Sequence, residues 1–95
     1  MKENTTQINH ENIIKLNFVE NEVLQSSQEM ELRKMDLERA ALLGNIFHNK
    51  VKIYFESKEG SKEIESTIWA CSEKFIALYD SVIIPINCIK KIEVA

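Results

Sequence analysis

The chain has 95 residues and a mass of 11.0 kDa, which is enough for one hydrophobic core and not for two. Hydrophobic residues make up 44% of the sequence and charged residues 28%, with two Gly and one Pro, which excludes a fully disordered or collagen-like chain. The formal net charge is −3, so binding to nucleic acid through many phosphate contacts is disfavoured.

No segment of the sequence has the form of a secretory signal or a membrane span. A charged n-region followed by an apolar h-region is missing, and no stretch approaches the about 18 consecutive apolar residues of a spanning helix. In such a chain two cysteines, Cys71 and Cys88, favour a reducing compartment. We therefore expect a cytoplasmic protein with free thiols and no membrane partner.

The composition predicts a polar, partly flexible N-terminal arm at residues 1–25 and one helix-plus-barrel domain at residues 26–95. Residues 1–12 are mostly polar and cannot bury enough apolar surface to offset the entropy of ordering. An apolar run follows at residues 13–19. Its periodicity fits both a strand and a helical turn, and both interpretations stay open.

The next segment carries the pattern of a helix. Ser26 and Glu29 match a capping box, in which each side chain accepts a hydrogen bond from the backbone N–H of the other residue. This predicts a helix over residues 27–43, with Gly44 in the left-handed position that ends it. Glu29 is expected to pair with Arg33 on the exposed side of the helix.

The apolar residues of this helix predict a face that docks onto a sheet. They are Met30, Leu32, Met35, Leu42 and Leu43. A coiled-coil seam is the alternative, but the three or four heptads that such a seam needs are absent. We therefore predict docking.

From Lys50 onwards the hydrophobic period changes to two, which is typical of half-buried strands. Five strands are predicted, at residues 51–56, 62–71, 75–79, 82–86 and 89–94. Polar turns separate the first four, one of them at Asp80 and Ser81, and a single helical turn precedes the fifth. Pro85 has no backbone N–H to donate to a neighbouring strand. We therefore expect either that the fourth strand lies at a sheet edge or that Pro85 lies near the end of that strand.

Five short antiparallel strands joined by tight turns predict a mainly β domain with an N-terminal α-helix. We expect the strands to form a small, partly open five-stranded barrel of the SH3 or Sm-like type, since closing a sheet manages its edges. The predicted core contains Ile53, Ile68, Leu78 and Ile92.

Three stretches carry a resemblance to a known fold: Val51-Lys52-Ile53-Tyr54-Phe55, Phe75-Ile76-Ala77-Leu78 and Ile84-Pro85-Ile86-Asn87-Cys88-Ile89. Over residues 28–95 they resemble the Sm-like branch of SH3-type barrels, which includes the bacterial Hfq RNA chaperones. The resemblance implies a barrel and, for that branch, RNA binding. No residue is carried over as an RNA ligand, because Pro85-Ile86-Asn87 stands where Hfq-type proteins have a Tyr-Lys-His cluster.

A closer resemblance rests on Leu43-Gly44-Asn45, Lys50-Val51-Lys52-Ile53, Thr67-Ile68-Trp69-Ala70 and Val82-Ile83-Ile84-Pro85-Ile86. This set is similar to a family of small proteins of Bacteroidota-type bacteria. That family brings no activity with it.

No constellation of residues indicates catalysis, a metal or a cofactor. Cys71 and Cys88 lie 17 positions apart without a Cys-x-x-Cys motif, and His10 and His48 are not at ligand spacing with them. The two Gly stand alone rather than in a phosphate-binding loop. We therefore expect a protein that is not an enzyme and needs no cofactor.

Tyr54 and Trp69 form the first part of the candidate partner site. If Val51, Ile53 and Phe55 face inward, strand alternation places Tyr54 outward, and Trp69 takes the face opposite to Ile68. A Trp and a Tyr side by side anchor a protein partner or stack a base. The alternative, which we favour, is that the helix covers both rings.

Val82, Ile83 and Ile84 form the second part of that site. The strand is apolar on both faces, so one face stays uncovered and invites pairing with another chain, unless residues 13–19 fold back over it. We expect a protein-interaction or assembly module whose partner is another protein or a second copy, in a dimer or small oligomer. An RNA-binding Sm-like protein is the alternative function.

Overall fold

The computed structural model describes residues 5–13, 16–79 and 82–94. In chain order the elements are β1 (Thr6–Gln7), α1 (His10–Ile13), α2 (Ser27–Phe47), β2 (Val51–Ser57), β3 (Gly60–Ser66), β4 (Ile68–Cys71), β5 (Phe75–Leu78), β6 (Ile83–Pro85), a 3₁₀ turn (Ile86–Cys88) and β7 (Ile89–Val94). Ile14 of the apolar run and the predicted turn at Asp80 and Ser81 lie outside the described residues.

The strands form two separate sheets, of four strands in the order β1-β3-β2-β7 and of three strands in the order β4-β5-β6. The pairing of β1 with β3 is parallel, and the other pairings are antiparallel. The fold is therefore a small α+β domain with one long helix. The predicted five-stranded barrel is wrong, because the described strands do not close, and the predicted N-terminal helix follows β1 and α1.

The barrel prediction fails where a single long strand was expected at residues 62–71. This segment divides at Thr67, with Gly60–Ser66 in the four-stranded sheet and Ile68–Cys71 in the three-stranded sheet. The 3₁₀ turn Ile86–Cys88 makes the second transition between the sheets. Alternating hydrophobicity continues through Thr67, which is buried, so the pattern contains no signal for the change of sheet.

Helix α2 begins as predicted and ends later than predicted. The capping box is confirmed, since Ser26 Oγ accepts from Glu29 N at 3.1 Å and Glu29 Oε1 accepts from Ser26 N at 3.3 Å. The helix continues through Gly44 to Phe47 and ends at His48, whose φ of 57° is left-handed. Gly44 therefore has another role than ending the helix.

Gly44 allows α2 to approach the start of β4 closely. A Cβ atom at this position would lie 2.4 Å from the carbonyl oxygen of Ile68 and 3.0 Å from Cγ2 of Thr67. No side chain fits at the first of these distances. The helix backbone thus packs directly on the backbone of the strand.

The buried face of α2 is not the predicted one. The buried positions are Arg33, Leu37, Ala40, Ala41 and Gly44. Leu32, Met35 and Leu42, predicted to dock, are exposed by 60%, 54% and 60%. Small inner residues bring the helix close to the sheet, and the larger apolar side chains point away from it.

The core lies between the two sheets and α2. Its fully buried side chains include Phe55, Ile64, Ile76, Ile84, Ile89 and Leu37. Ile53, Ile68 and Leu78 are buried as predicted, whereas Ile92 is only partly buried and packs against the margin of the core.

Part of the N-terminal segment packs against the four-stranded sheet. Ile13 is 1% exposed, and β1 pairs with β3 through Thr6 and Gln7. Phe18 forms an isolated antiparallel bridge with Ser57, and its ring lies 5.7 Å from that of Phe55. The described part of the apolar run thus has a helical end at Ile13 and an extended bridge at Phe18.

Arg33 connects the N-terminal segment, α2 and β7. Its Nη2 donates to Glu22 Oε1 at 2.7 Å, and its Nη1 donates to the carbonyl oxygen of Ile89 at 3.0 Å. Arg33 is 8% exposed, so the predicted surface pair with Glu29 is wrong. Glu22 keeps the buried guanidinium paired, which a buried charge requires.

The close approach at Gly44 gives the first prediction. Replacing Gly44 with Ala increases helix propensity by about 1 kcal/mol, but the clash with Ile68 costs about 1–3 kcal/mol in a packed contact. We expect Gly44→Ala to lower the melting temperature, measured by circular dichroism. Lys34→Ala, on the exposed side of the same helix, should change it little. A higher melting temperature for Gly44→Ala would contradict the close approach.

The ion pair gives a pH-dependent prediction. The hydrogen bond from Arg33 lowers the pKa of Glu22 below its usual value of 4.5, so the stabilisation is present above pH 4.5 and is lost as pH falls through the lowered pKa. Glu22→Gln should lower the free energy of unfolding by about 1–2 kcal/mol at pH 7, which lies between the values for exposed and buried ion pairs. Urea titrations should show a smaller difference between the variant and the wild type at pH 3 than at pH 7. An equal difference at both would exclude the ion pair as its cause.

Candidate interaction surfaces

The three-stranded sheet has one buried and one exposed face. Ile68 pairs with Leu78 and Ile76 with Ile84 on the buried face. We call the opposite side the outer sheet face; it consists of Trp69, Ala70, Phe75, Ala77, Tyr79, Ile83 and Pro85. None of these residues carries a charge.

A bulge places Trp69 on the outer sheet face. The register of β4 against β5 shifts between Ile68 and Ala70, so Trp69 is an extra residue in the ladder and is 48% exposed. Asn45 of α2 donates from Nδ2 to the carbonyl oxygen of Trp69 at 2.7 Å. The helix thus covers the edge of β4 but leaves the indole ring exposed.

Tyr79 completes an aromatic cluster with Trp69 and His48. The rings of Trp69 and Tyr79 lie 5.9 Å apart at 72°, and those of His48 and Tyr79 lie 6.0 Å apart at 80°. Both are edge-to-face contacts, the arrangement that aromatic rings favour. The cluster presents a preformed aromatic surface at the end of α2.

The predicted pairing of Tyr54 with Trp69 is wrong, because the two residues belong to different sheets. Tyr54 donates from Oη to Glu93 Oε1 at 2.9 Å, and Nζ of Lys91 lies 5.0 Å from its ring centroid. The hydrogen bond to Glu93 raises the pKa of Tyr54. The partner of Trp69 is Tyr79, which continues the alternation of Phe75 and Ala77 and could have been found from that pattern.

Only Ile83 of the predicted apolar strand site is available to a partner. Val82 is 7% exposed and Ile84 is 0% exposed, because both face the core. Ile83 is 51% exposed and pairs with Ala77 on the outer sheet face. The structure therefore joins Ile83 to the surface that contains Trp69 and separates it from Val82 and Ile84.

Helix α2 presents a second apolar surface, and three of its four residues, Leu32, Met35 and Leu42, were predicted to dock on the sheet. We call it the outer stripe of α2 and define it by Leu32, Met35, Leu42 and Ile46. These side chains are exposed by 60%, 54%, 60% and 58%. Four exposed apolar side chains lie at helical spacing along one side of α2, with Arg39 between Met35 and Leu42, and such a surface is typical of an interaction site.

The thiols have the chemistry of structural residues. Burial raises the pKa of Cys88 to about 12 and that of Cys71 above its usual value, and both are free. Neither is an activated thiolate, which is the form that attacks or binds metals. Within the described residues, no group of three or more His, Cys, Asp and Glu side chains is arranged to hold a metal ion.

Comparison with family models, with curated proteins and with solved structures finds no match for this chain. Among the described residues, no helix is both long enough and apolar enough to cross a bilayer.

The thiol environments predict slow chemical modification. With a pKa of about 12, only about one Cys88 in 10⁴ is ionised at pH 8. We expect iodoacetamide to leave Cys88 unmodified in the folded protein and to react at once in guanidinium chloride, as followed by mass spectrometry. Fast alkylation of Cys88 under native conditions would contradict the buried thiol.

Proposed function

We propose that the protein is a non-enzymatic, cytoplasmic protein-interaction module that binds a partner protein through the outer sheet face. The observation that carries the proposal is an exposed face of seven residues without a charged side chain, centred on Trp69, Tyr79 and Ile83. Interface cores are depleted in charge and enriched in aromatic residues. The complementary surface on the partner is apolar and uncharged.

The rigidity of the face supports the proposal. Trp69 and Tyr79 already contact each other, and the Trp69 carbonyl is held by Asn45, so binding orders few additional side chains. Large rings that lose little conformational entropy are the usual anchors of protein interfaces. A partner covering this face would gain most of its affinity from Trp69, Tyr79 and Ile83.

RNA binding is the second candidate, because Trp69 and Tyr79 offer rings on which bases stack. Such sites also need cations that follow the phosphate backbone, and the outer sheet face contains none. The net charge of −3 also disfavours binding to the negatively charged phosphates of RNA. A protein surface therefore suits the face better than RNA.

The raised pKa values of the two thiols support the non-enzymatic part of the proposal, and their free state supports the cytoplasmic part. Cys88, with a pKa of about 12, is not a nucleophile at neutral pH, and the pKa of Cys71 is raised as well. Two free thiols fit a reducing compartment.

The test compares matched variants of the full chain. Partners are isolated with the tagged protein from its native cells, and the binding of a purified partner is measured by calorimetry. We expect Ile83→Lys and Trp69→Ala to weaken binding at least about tenfold, as anchor residues do. Val94→Lys, at a side chain 90% exposed outside the face, should change binding less than twofold.

Two outcomes would contradict the proposal. Equal binding by wild type, Ile83→Lys and Trp69→Ala would show that the outer sheet face is not the binding surface. Recovery of RNA alone, with an affinity that falls steeply as salt is added, would favour the RNA-binding function instead.

A further inference from the structure

Helix α2 is apolar on two opposite sides, although only one side contacts its own domain. The inner side consists of Leu37, Ala40, Ala41 and Gly44, with Arg33 at its start. The other side is the outer stripe, whose four residues are each more than half exposed. A surface helix normally has a polar outer side, and a helix that is apolar all round is normally buried. The outer stripe therefore lacks a covering element within the described part of the chain.

The spacing of the outer stripe is that of a helix-pairing seam. Leu32, Met35, Arg39, Leu42 and Ile46 follow one another at intervals of three, four, three and four residues. This is the a and d pattern of a heptad repeat, and it continues over nearly three heptads because α2 extends to Phe47 and not only to the predicted residue 43. In that frame the inner residues occupy positions b, c and f, on the far side of the helix. The same helix can thus contact its own sheet and a second helix at once.

The flanks of the seam differ between its two halves. Glu29 and Glu31 flank the N-terminal half, and Asp36 and Glu38 flank the centre; all four acidic residues are exposed. Leu43 and Asn45 flank the C-terminal half, and Lys50 follows the end of the helix. Arg39, in the seam itself, is exposed, and its side chain has no hydrogen bond or ion pair within the described residues.

This charge distribution decides the orientation of two paired copies. A parallel pair would place Arg39 directly opposite Arg39 and Glu31 of each copy beside Asp36 of the other, which is repulsive. An antiparallel pair of the same seam places Arg39 opposite Met35 of the other copy, and Glu29 and Glu31 opposite the uncharged Leu43 and Asn45. Asp36 and Glu38 of both copies then lie near the centre, within reach of the two Arg39 guanidinium groups.

We propose that the outer stripe of α2 binds the outer stripe of a second copy in antiparallel orientation, forming a two-fold symmetric dimer. The surface is self-complementary, as such a dimer requires. It is separate from the outer sheet face, so the dimer does not depend on the proposed function. The seam from Gln28 to Ile46 is about 27 Å long at 1.5 Å per residue, a short contact, so we expect a weak dimer whose population depends on protein concentration.

The dimer is tested by analytical ultracentrifugation of the full chain from about 1 µM to 500 µM. We expect a monomer–dimer equilibrium that Leu32→Glu, Leu42→Glu and Arg39→Glu each weaken at least tenfold. Phe47→Glu is the matched control, because Phe47 is 63% exposed on the same helix but lies off the seam. Ile83→Lys, on the outer sheet face, should leave the dimer intact. Circular dichroism shows whether each variant is folded.

The orientation is tested by pulsed electron paramagnetic resonance. Gln28→Cys, in a Cys71→Ser background, carries one spin label near the start of α2. Antiparallel helices place the two labels about 27 Å or more apart, whereas parallel helices bring them within about 15 Å.

Three results would overturn the proposal. The first is a monomer at every concentration. The second is a dimer that withstands Leu32→Glu and Leu42→Glu in folded protein. The third is a label distance that indicates parallel helices.

Discussion

The contact between Gly44 of α2 and the carbonyl oxygen of Ile68 determines how this domain is arranged. It allows the helix backbone to lie against the first residue of β4, with only small residues, Ala40 and Ala41, beside it on the inner face. The only large side chains at the buried positions of that face are Leu37 and, nearer the start of the helix, Arg33. The other large apolar residues of the helix therefore project outward. The exposed outer stripe is a consequence of how the inner face packs.

Arg33 connects the N-terminal half of the same helix to the rest of the domain. The guanidinium lies between the N-terminal segment and β7, bound to the Glu22 carboxylate and the Ile89 carbonyl. Glu22 supplies the negative charge that the buried cation requires. Together with the bridge at Phe18, this contact connects the described N-terminal segment to the rest of the domain.

Local signals in the sequence predict the elements well. The capping box at Ser26 and the alternation in β2 both match the structure, because each depends on neighbouring residues alone. Such local signals could not show that the predicted barrel is wrong. The alternation of apolar and polar residues continues through Thr67, although the chain passes there from one sheet to the other. The inner face of α2 was missed for a related reason. Ala, Gly and Arg have weak apolar signals, while Leu and Met have strong ones, so the pattern favoured the wrong face.

The candidate site was predictable in part. Alternation correctly placed Trp69 opposite the buried Ile68, but the favoured expectation that the helix covers its ring is wrong, since Trp69 is 48% exposed. The partner of Trp69 is Tyr79 rather than Tyr54, because sheet membership decides which rings meet. Val82 and Ile84 were wrongly included in the site. In a strand that is apolar on both faces, the sequence shows which residues share a face but not which face is buried. The two exposed apolar surfaces emerge only when the packing of α2 and the division into two sheets are known.

Hydroxyl-radical footprinting of Met35 as a function of protein concentration tests most directly that α2 has a buried inner face and an exposed apolar outer stripe. Met35 is 54% exposed in the single chain. The exposure of Met35 predicts its rapid oxidation in dilute protein, and the proposed dimer predicts its protection in concentrated protein with no change at the exposed Phe47. Slow oxidation of Met35 at every concentration, as for a side chain docked on the sheet, would contradict the assignment of the helix faces.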